Sequence, residues 1–595
     1  MSSNPKDTFT WVDPKVRYPG APPYVVGLPK GEGMSPFKVF LFDFTALISA
    51  LSLILAQLLH VLGFSTRNKI EFKGVADLGL GVALAPANKW EKLKDLAQFF
   101  KPWTLLPKPL IADRWEEDAE FGNQFLGGLN PVLMRKANPE DLVTDGRFPV
   151  TDDHLKPYLG DSFSLASAFE KGKLYLLDYQ VFGDIVEPKQ EDQLGRYSAS
   201  PLCLFYLNDQ EQLLPVAIKV KQKYNPKTDP YPEILTPKSS PTEWKAAKLA
   251  VAATDIAYQG IIAHLLDTHL VIEVCTVSTY RTLSPDHILY QLLKPHFFNT
   301  LAINYMARST FLGRGNFFDS TGALGYTGSN ELLSRAYWGK GLVTDYEGEP
   351  WLFYKKALPQ RLEVRGVSDL PNYHYKDDAL LMWDATRKYV SDVLKNHYKD
   401  NSAVESDAQL QAWKNELIDP NAGTIQGLLP EEKADQLTGK LNNLDDLIEI
   451  VTTMIFLATT QHAAVNFGQY DYGSWVSNMP FALYKPFSSL YGEDVKTEED
   501  REKILLDWLP DRKQTIKQIV LVKVLTILPP YTSKSLLTLP NPLKNDSDRQ
   551  AFKDFRKRLK EIEVQLQERN KKLVKEGKIP YVYLLPSHIP QSIAI

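Results

Sequence analysis

The chain has 595 residues, enough for one very large domain or several ordinary ones. Hydrophobic residues make up 44% and charged residues 24%, an ordinary balance for a folded soluble protein, and a net charge of −4 gives no reason to expect nucleic acid as a partner. With only two cysteines, Cys203 and Cys275, the chain has no disulfide framework and no basis for a Cys-built zinc site; both read as small core residues.

Residues 1–35 carry Pro5, Pro14, Pro19, Pro22, Pro23 and Pro29 and read as an extended or irregular arm. The first residues are polar, and the apolar stretch begins only near Phe37, so no signal peptide is expected there and a cytoplasmic location is. Residues 37–64, FKVFLFDFTALISALSLILAQLLHVLGF, form the most apolar run. At ~1.5 Å per residue a helix over Phe44–Phe64 is long enough to span a bilayer. Asp43, Gln57 and His60 interrupt the run, however, and the rest of the chain looks soluble. Three readings stand side by side: a helix buried on its own protein, one lying on or dipping into a membrane surface, and a true span. The second makes the protein a peripheral membrane contact.

Residues 65–114 are mixed, with a helical pattern in NKWEKLKDLAQFFKPW. No series of short alternating strands occurs before Trp115, which argues against an N-terminal β-barrel or sandwich. The expected division is therefore an arm with an apolar helix over 1–114 and one large domain over 115–595. That domain reads as mainly helical. A strand pair is expected near KLYLLDYQVF and LCLFYLNDQEQLLPVAIKV, where β-branched and aromatic residues bracket polar turns. After a Pro-rich loop at 226–241, a long helix opens at Thr242, Glu243 and Trp244 and runs through His269. A second long apolar helix covers Leu444 to Asn466, and a charged, one-sided helix covers 548–572. There is no internal repeat and no GxGxxG, Walker A or GxSxG motif.

Of ten histidines, His60, His154, His287, His296, His374, His397 and His588 stand alone and read as surface or hydrogen-bonded core residues. His264 and His269 lie within an almost wholly apolar helix, where imidazoles need partners. In a regular α-helix, at ~100° per residue, they point ~140° apart and cannot share a small ion; a π-type turn would nearly overlay them. Spacing alone favours two core histidines. His462 and Asn466, four apart, share one face of an ordinary helix. Two apolar helices, each with a polar pair, suggest a site between them. The chain ends in IPQSIAI. Such a tail is usually frayed; buried, its carboxylate would have to meet a cation.

These segments together resemble the lipoxygenase family. HLLDTH followed by Glu273, TLSPDHILYQLLKPHF and INYMAR are similar to its central signature, and HAAVNFGQYDYG to its second iron-binding helix. The closing SIAI is similar to its terminal isoleucine. EFGNQFLGGLNP resembles the opening of the catalytic domain, and FKDFRKRLKEIEVQLQERN the helix before the tail. The likeness is collinear over 115–595. It implies the helical lipoxygenase catalytic fold with a few short strands, the metal between two long central helices, and no N-terminal β-barrel, as in prokaryotic-type members.

The resemblance further implies non-haem iron held by His264, His269, His462, Asn466 and the carboxylate of Ile595, a donor set that suits iron, with manganese as the less favoured occupant. Gln469 matches an amide that hydrogen-bonds near the asparagine ligand, and Gln259 neighbours Gly260, where plant enzymes often carry a glutamine. Ala307 matches the position where alanine goes with S products and glycine with R. Phe311 stands where plant enzymes carry leucine. Leu265, Ile303 and Met306 complete the expected substrate- and oxygen-controlling set. The implied partners are O2 and a polyunsaturated fatty acid with a 1,4-pentadiene, such as linoleate, linolenate or arachidonate. The implied reaction is hydrogen abstraction from the bis-allylic carbon at ferric iron, O2 addition and release of a hydroperoxide. The alternative is a fatty acid hydroperoxide isomerase of the same family.

Overall fold

The computed structural model describes residues 5–61, 89–100, 106–143, 147–186 and 195–595. The helix of the histidine pair starts at Pro241, not Thr242. Ser240 caps it by accepting from the Glu243 amide, Glu243 accepts from the Ser240 amide in return, and Pro241 at the first position has no N–H to leave unpaired. The helix is α over Pro241–Tyr258, π over Gln259–Leu270 and α again over Val271–Thr282, so it continues well past His269. The second apolar helix is capped by Asn443. It runs α over Leu444–Phe456, π over Leu457–Gln461 and α over His462–Asn466, and a further π turn follows at Gln469–Gly473. Both helices are apolar enough to cross a membrane, but 89% and 94% of their most apolar windows are buried inside the protein, so they are its core and not spans.

The expected strand pair is part of a four-stranded antiparallel sheet in the order β1 (Arg135–Lys136), β2 (Leu174–Asp178), β3 (Leu202–Leu207) and β4 (Leu213–Lys219). β2 is shorter than the sequence suggests, because Gln180–Val186 turns into 3₁₀ helix. Helix Asp118–Gly127 lies against β4 so closely that a Cβ on Gly122 would stand 1.8 Å from the Leu213 carbonyl oxygen, which requires glycine there. The charged helix spans Asp546–Lys575 and is one-sided, burying Phe552, Phe555, Leu559, Ile562 and Leu566 against helix His374–His397.

Among the described residues before Trp115 there is no strand, only an isolated bridge between Trp11 and Val25. The arm is fastened to the body: Arg281 donates to the carbonyls of Lys6 and Phe9, and the Trp11 indole donates to Glu416. The apolar run forms helix Pro36–Val61, which packs on helix Arg512–Leu525. Its expected end at 62–64 lies outside the described residues. The helical pattern at 88–103 is a 3₁₀ helix over Leu93–Phe100, with 101–105 again outside the described residues.

Candidate metal centre

Through Gln259–Leu270 the backbone is π-helical, so a five-residue step nearly completes one turn. His264 and His269 therefore share a face, with their Nε2 atoms 3.2 Å apart. His462 arrives from the second helix, its Nε2 3.3 Å from that of His264. All three rings are buried, and nitrogens from the three lie within 4.8 Å of one another.

Hydrogen bonding assigns the proton on one ring. The Asn304 amide nitrogen donates to the His269 carbonyl at 2.8 Å and to Glu273 at 2.9 Å, which leaves its Oδ1 facing His269 Nδ1 at 2.8 Å. His269 Nδ1 is then the donor, and its Nε2 presents a lone pair to the other two rings. Burial lowers the pKa of all three imidazoles, that of His269 to about 4, and the neighbouring rings push His264 and His462 further the same way. All three are neutral at physiological pH, which is the form that binds a metal.

The C-terminal tail ends beside the cluster. Its last residues are buried: the His296 Nδ1 donates to the Gln591 carbonyl at 2.8 Å, the Ser592 hydroxyl to the Phe298 carbonyl at 2.7 Å, and the Gln591 amide to the Lys534 carbonyl at 2.8 Å. Ile595 is 3% exposed, and its main-chain end lies within hydrogen-bonding reach of the His462 ring. Asn466 is fully buried. Its amide nitrogen donates to the Leu525 carbonyl at 2.7 Å, and its Oδ1 accepts from Gln469 Nε2 at 2.7 Å, which fixes the oxygen's direction. Gln259 Nε2 donates to the Val465 carbonyl at 2.6 Å and so ties the two central helices together. Three neutral imidazoles with converging nitrogens, an amide oxygen and a carboxylate fit a non-haem divalent or trivalent ion.

Beside the cluster lies a cavity of about 1130 Å³, counting its open mouth. His264, His269, Ile595, Gln259 and Gln469 stand on its wall, and so do Leu265, Ile303, Met306, Ala307 and Phe311. His462 and Asn466 are not on the wall. Among the described residues no lysine, arginine, aspartate or glutamate lines it, and Ile595 is the lining residue that carries a terminal carboxylate. A side chain at Gly260 would meet no atom within 4 Å, which makes that position open space. Phe311 sits edge-on to Phe317 and Phe318 and narrows one side.

Sequence reasoning missed several contributors. Asn304 orients His269, and Glu273 holds Asn304 while forming a buried pair with Arg308 at 2.6 Å. A carboxylate in the middle of an apolar helix was the available signal. Phe42, from helix Pro36–Val61, also lines the cavity. Of the solitary histidines, His296 anchors the tail, His287 caps helix Ile288–Leu293 and pairs with Asp407, and His397 pairs with Asp548.

Fold and site define a class: a helical protein with a buried site for a non-haem metal ion opening on an apolar cavity. The chain belongs to the lipoxygenase family, whose model matches residues 65–586. It is 30% identical over 507 residues to the hydroperoxide isomerase ALOXE3 of Mus musculus, covering 85% of this chain and 66% of that protein. It is 31% identical over 509 residues to the 12R-type arachidonate 12-lipoxygenase of Rattus norvegicus, covering 85% and 67%. The chain thus spans about two thirds of these relatives. Among solved structures, a calcium-dependent 11R-lipoxygenase superposes with a TM-score of 0.81 at 27% identity, covering 100% of this chain and 79% of that one. Coral 8R-lipoxygenase superposes at 0.78 and 27%, covering 99% and 80%. The fold is that of lipoxygenase catalytic domains.

Two outcomes follow. Asn304→Ala frees the His269 ring, and loss of such an outer hydrogen bond weakens metal retention roughly 10–100-fold; metal release to a chelator measures this, and unchanged release would remove Asn304 from the site. Burial holds His296 near pKa 4 against an ordinary 6.5. Below pH 6.5 the unfolded chain takes up a proton that folded His296 refuses until about pH 4, so acidification through that window costs stability. His296→Gln therefore makes the fall in melting temperature between these pH values shallower, and an unchanged slope would assign it to other groups.

Proposed function

We propose that the protein is a lipid dioxygenase that inserts O2 into a polyunsaturated fatty acid. The observation that carries this reading is the apolar, nearly uncharged cavity with His264, His269 and Ile595 of a redox-metal donor set on its wall. Such a cavity suits a long acyl chain and offers no acid–base pair for hydrolysis. His264, His269, His462, Asn466 and Ile595 would hold iron, and iron held there would supply one-electron redox chemistry for removing hydrogen from a bis-allylic carbon.

The chain's own residues do the rest. Leu265, Ile303 and Met306 press on the acyl chain and keep a pentadiene beside the metal, so that reaction is effectively intramolecular. Ala307 leaves space where one pentadiene carbon is open to O2, and Phe311 shields another. Gln469 and Gln259 keep the Asn466 oxygen and the second helix in place. Burial keeps His269 neutral, and the amide–imidazole contact at Asn304 fixes its tautomer with the lone pair inward. Relatives support this reading: one is named an arachidonate 12-lipoxygenase, and one matching structure is a lipoxygenase in complex with arachidonate.

The test is O2 uptake with linoleate on an oxygen electrode, with iron-loaded full-length protein. Uptake is expected, falling at least a hundredfold in His264→Ala and in a chain extended beyond Ile595, as expected for loss of metal ligands. No uptake with linoleate or arachidonate, with turnover of a fatty acid hydroperoxide instead, would move the assignment to hydroperoxide isomerase, the name of another relative.

The substrate's source is read from helix Pro36–Val61, as a peripheral contact with a membrane surface. Phe37, Phe40 and Phe44 are 65%, 59% and 47% exposed, while Phe42 and Leu53 face the body. A helix apolar on both sides has one side for the protein and one for lipid. Phe37→Ser/Phe40→Ser/Phe44→Ser is expected to lower co-sedimentation with liposomes several-fold; equal retention of both proteins would refute the contact.

A further inference from the structure

Lys38 is one turn before Phe42 on helix Pro36–Val61, on the face turned toward the body, and is 3% exposed. Its Nζ is buried and has no hydrogen-bond partner among the described residues. Nζ lies over the Phe42 ring, 5.7 Å from its centroid. Phe42 is itself a wall of the apolar cavity, so the ammonium stands behind one ring of that wall.

Neighbouring cations differ. Arg308, on the wall of the adjoining cavity, is committed to Glu273 and lies over the Tyr24 ring at 4.2 Å. Lys523 lies over Tyr470. Asp43 beside Phe42 is exposed and pairs with nothing at Lys38. Burial alone lowers the Lys38 pKa to about 7, with no carboxylate opposing the shift. A buried ammonium left without a counter-charge is costly, and an anion brought beside it would relieve that cost. The cavity's proposed occupant carries one such anion, at the end of an apolar chain.

We propose that Lys38 is the head-group residue of this cavity, pairing with the carboxylate of a bound fatty acid. This rests on the reading that the cavity takes a fatty acid, but not on the redox step. Turning about its four side-chain bonds, the ammonium passes the edge of Phe42 and meets the carboxylate, while the acyl chain extends past Phe42 toward Ile303 and Met306. Lys38 then orients the chain, deciding which end enters.

The test uses oleate, which has no 1,4-pentadiene and cannot react, and methyl oleate, which lacks the charge. Binding to the full-length, metal-loaded protein is read by calorimetry. In Lys38→Met oleate binding is expected to weaken at least roughly tenfold, the size of one charge-assisted hydrogen bond, while methyl oleate binding is unchanged. Lys38→Arg is expected to keep the preference for oleate. The methionine variant removes a buried unpaired charge, so its melting temperature is expected to be no lower. Equal oleate binding by wild type and Lys38→Met would overturn the proposal, and so would equal losses for oleate and methyl oleate, which would mark a damaged wall. Tighter, Lys38-dependent binding of oleoyl lysophosphatidate than of oleate would overturn the carboxylate in favour of a phosphate head group. If oleate binding depends on Lys38 but linoleate consumes no O2, the dioxygenase reading fails and the anion site stands.

Discussion

Ile595 stands with its carboxylate beside three uncharged imidazoles, at a cavity lined by no other charged group among the described residues. A carboxylate so placed loses its hydration and must recover that energy from a cation. The rings cannot provide one by taking up protons, because their own burial lowers their pKa values. The folded tail is therefore in balance only if a metal ion supplies the charge. This explains why so many contacts converge on a segment that in most proteins frays: His296, Ser592 and the strand-like contact of Ser535 with Pro590 hold the last residues in place before any ion arrives.

The same constraint shapes the helices. An α-helix cannot aim residues five apart at one point, and the chain accepts a π segment at Gln259–Leu270 to do so. A second π segment at Leu457–Gln461 immediately precedes His462, and a third at Arg308–Leu312 immediately follows Ala307. Each widened turn abuts a residue on or beside the cavity. Among the described residues the π turns, including that at Gln469–Gly473, thus gather where side-chain direction matters, and the long α segments on either side, packed inside the core, hold them there.

Much of this was legible in the sequence, for physical reasons. The two apolar helices announced themselves because polar pairs inside apolar runs are rare, and the start expected at Thr242 falls one residue from the observed Pro241. The spacing of His264 and His269 posed a question that spacing could not answer; α geometry argued against a shared ion, and only the likeness of several collinear segments argued for one. Asn304, Glu273 and Lys38 were not legible as a set. Glu273 stood out only as a carboxylate in an apolar helix and Lys38 only as a charge at the start of an apolar run, while the meaning of Asn304 and Glu273 comes from neighbours 31 and 35 positions away, Glu273 for Asn304 and Arg308 for Glu273. Periodicity and local motifs carry no trace of such contacts.

The N-terminal arm gains its significance from that chain of contacts. His269 is held by Asn304, Asn304 by Glu273, and Glu273 by Arg308. Arg308 lies over the ring of Tyr24, its carbonyl accepts from Tyr18, and Glu273 accepts from the backbone amide of Val25 at 3.3 Å. The arm thus supplies the outer end of a hydrogen-bonded line that begins at a ring of the metal site. It precedes the region matched by the family model, which starts at residue 65. A carboxylate as deeply buried as Glu273 tolerates no slack in its partners, because each unmade bond leaves a charge unpaired. Displacing the arm would therefore loosen Glu273 first and His269 two bonds later, which ties the geometry of the metal site to a segment that touches neither the metal ligands nor the main cavity.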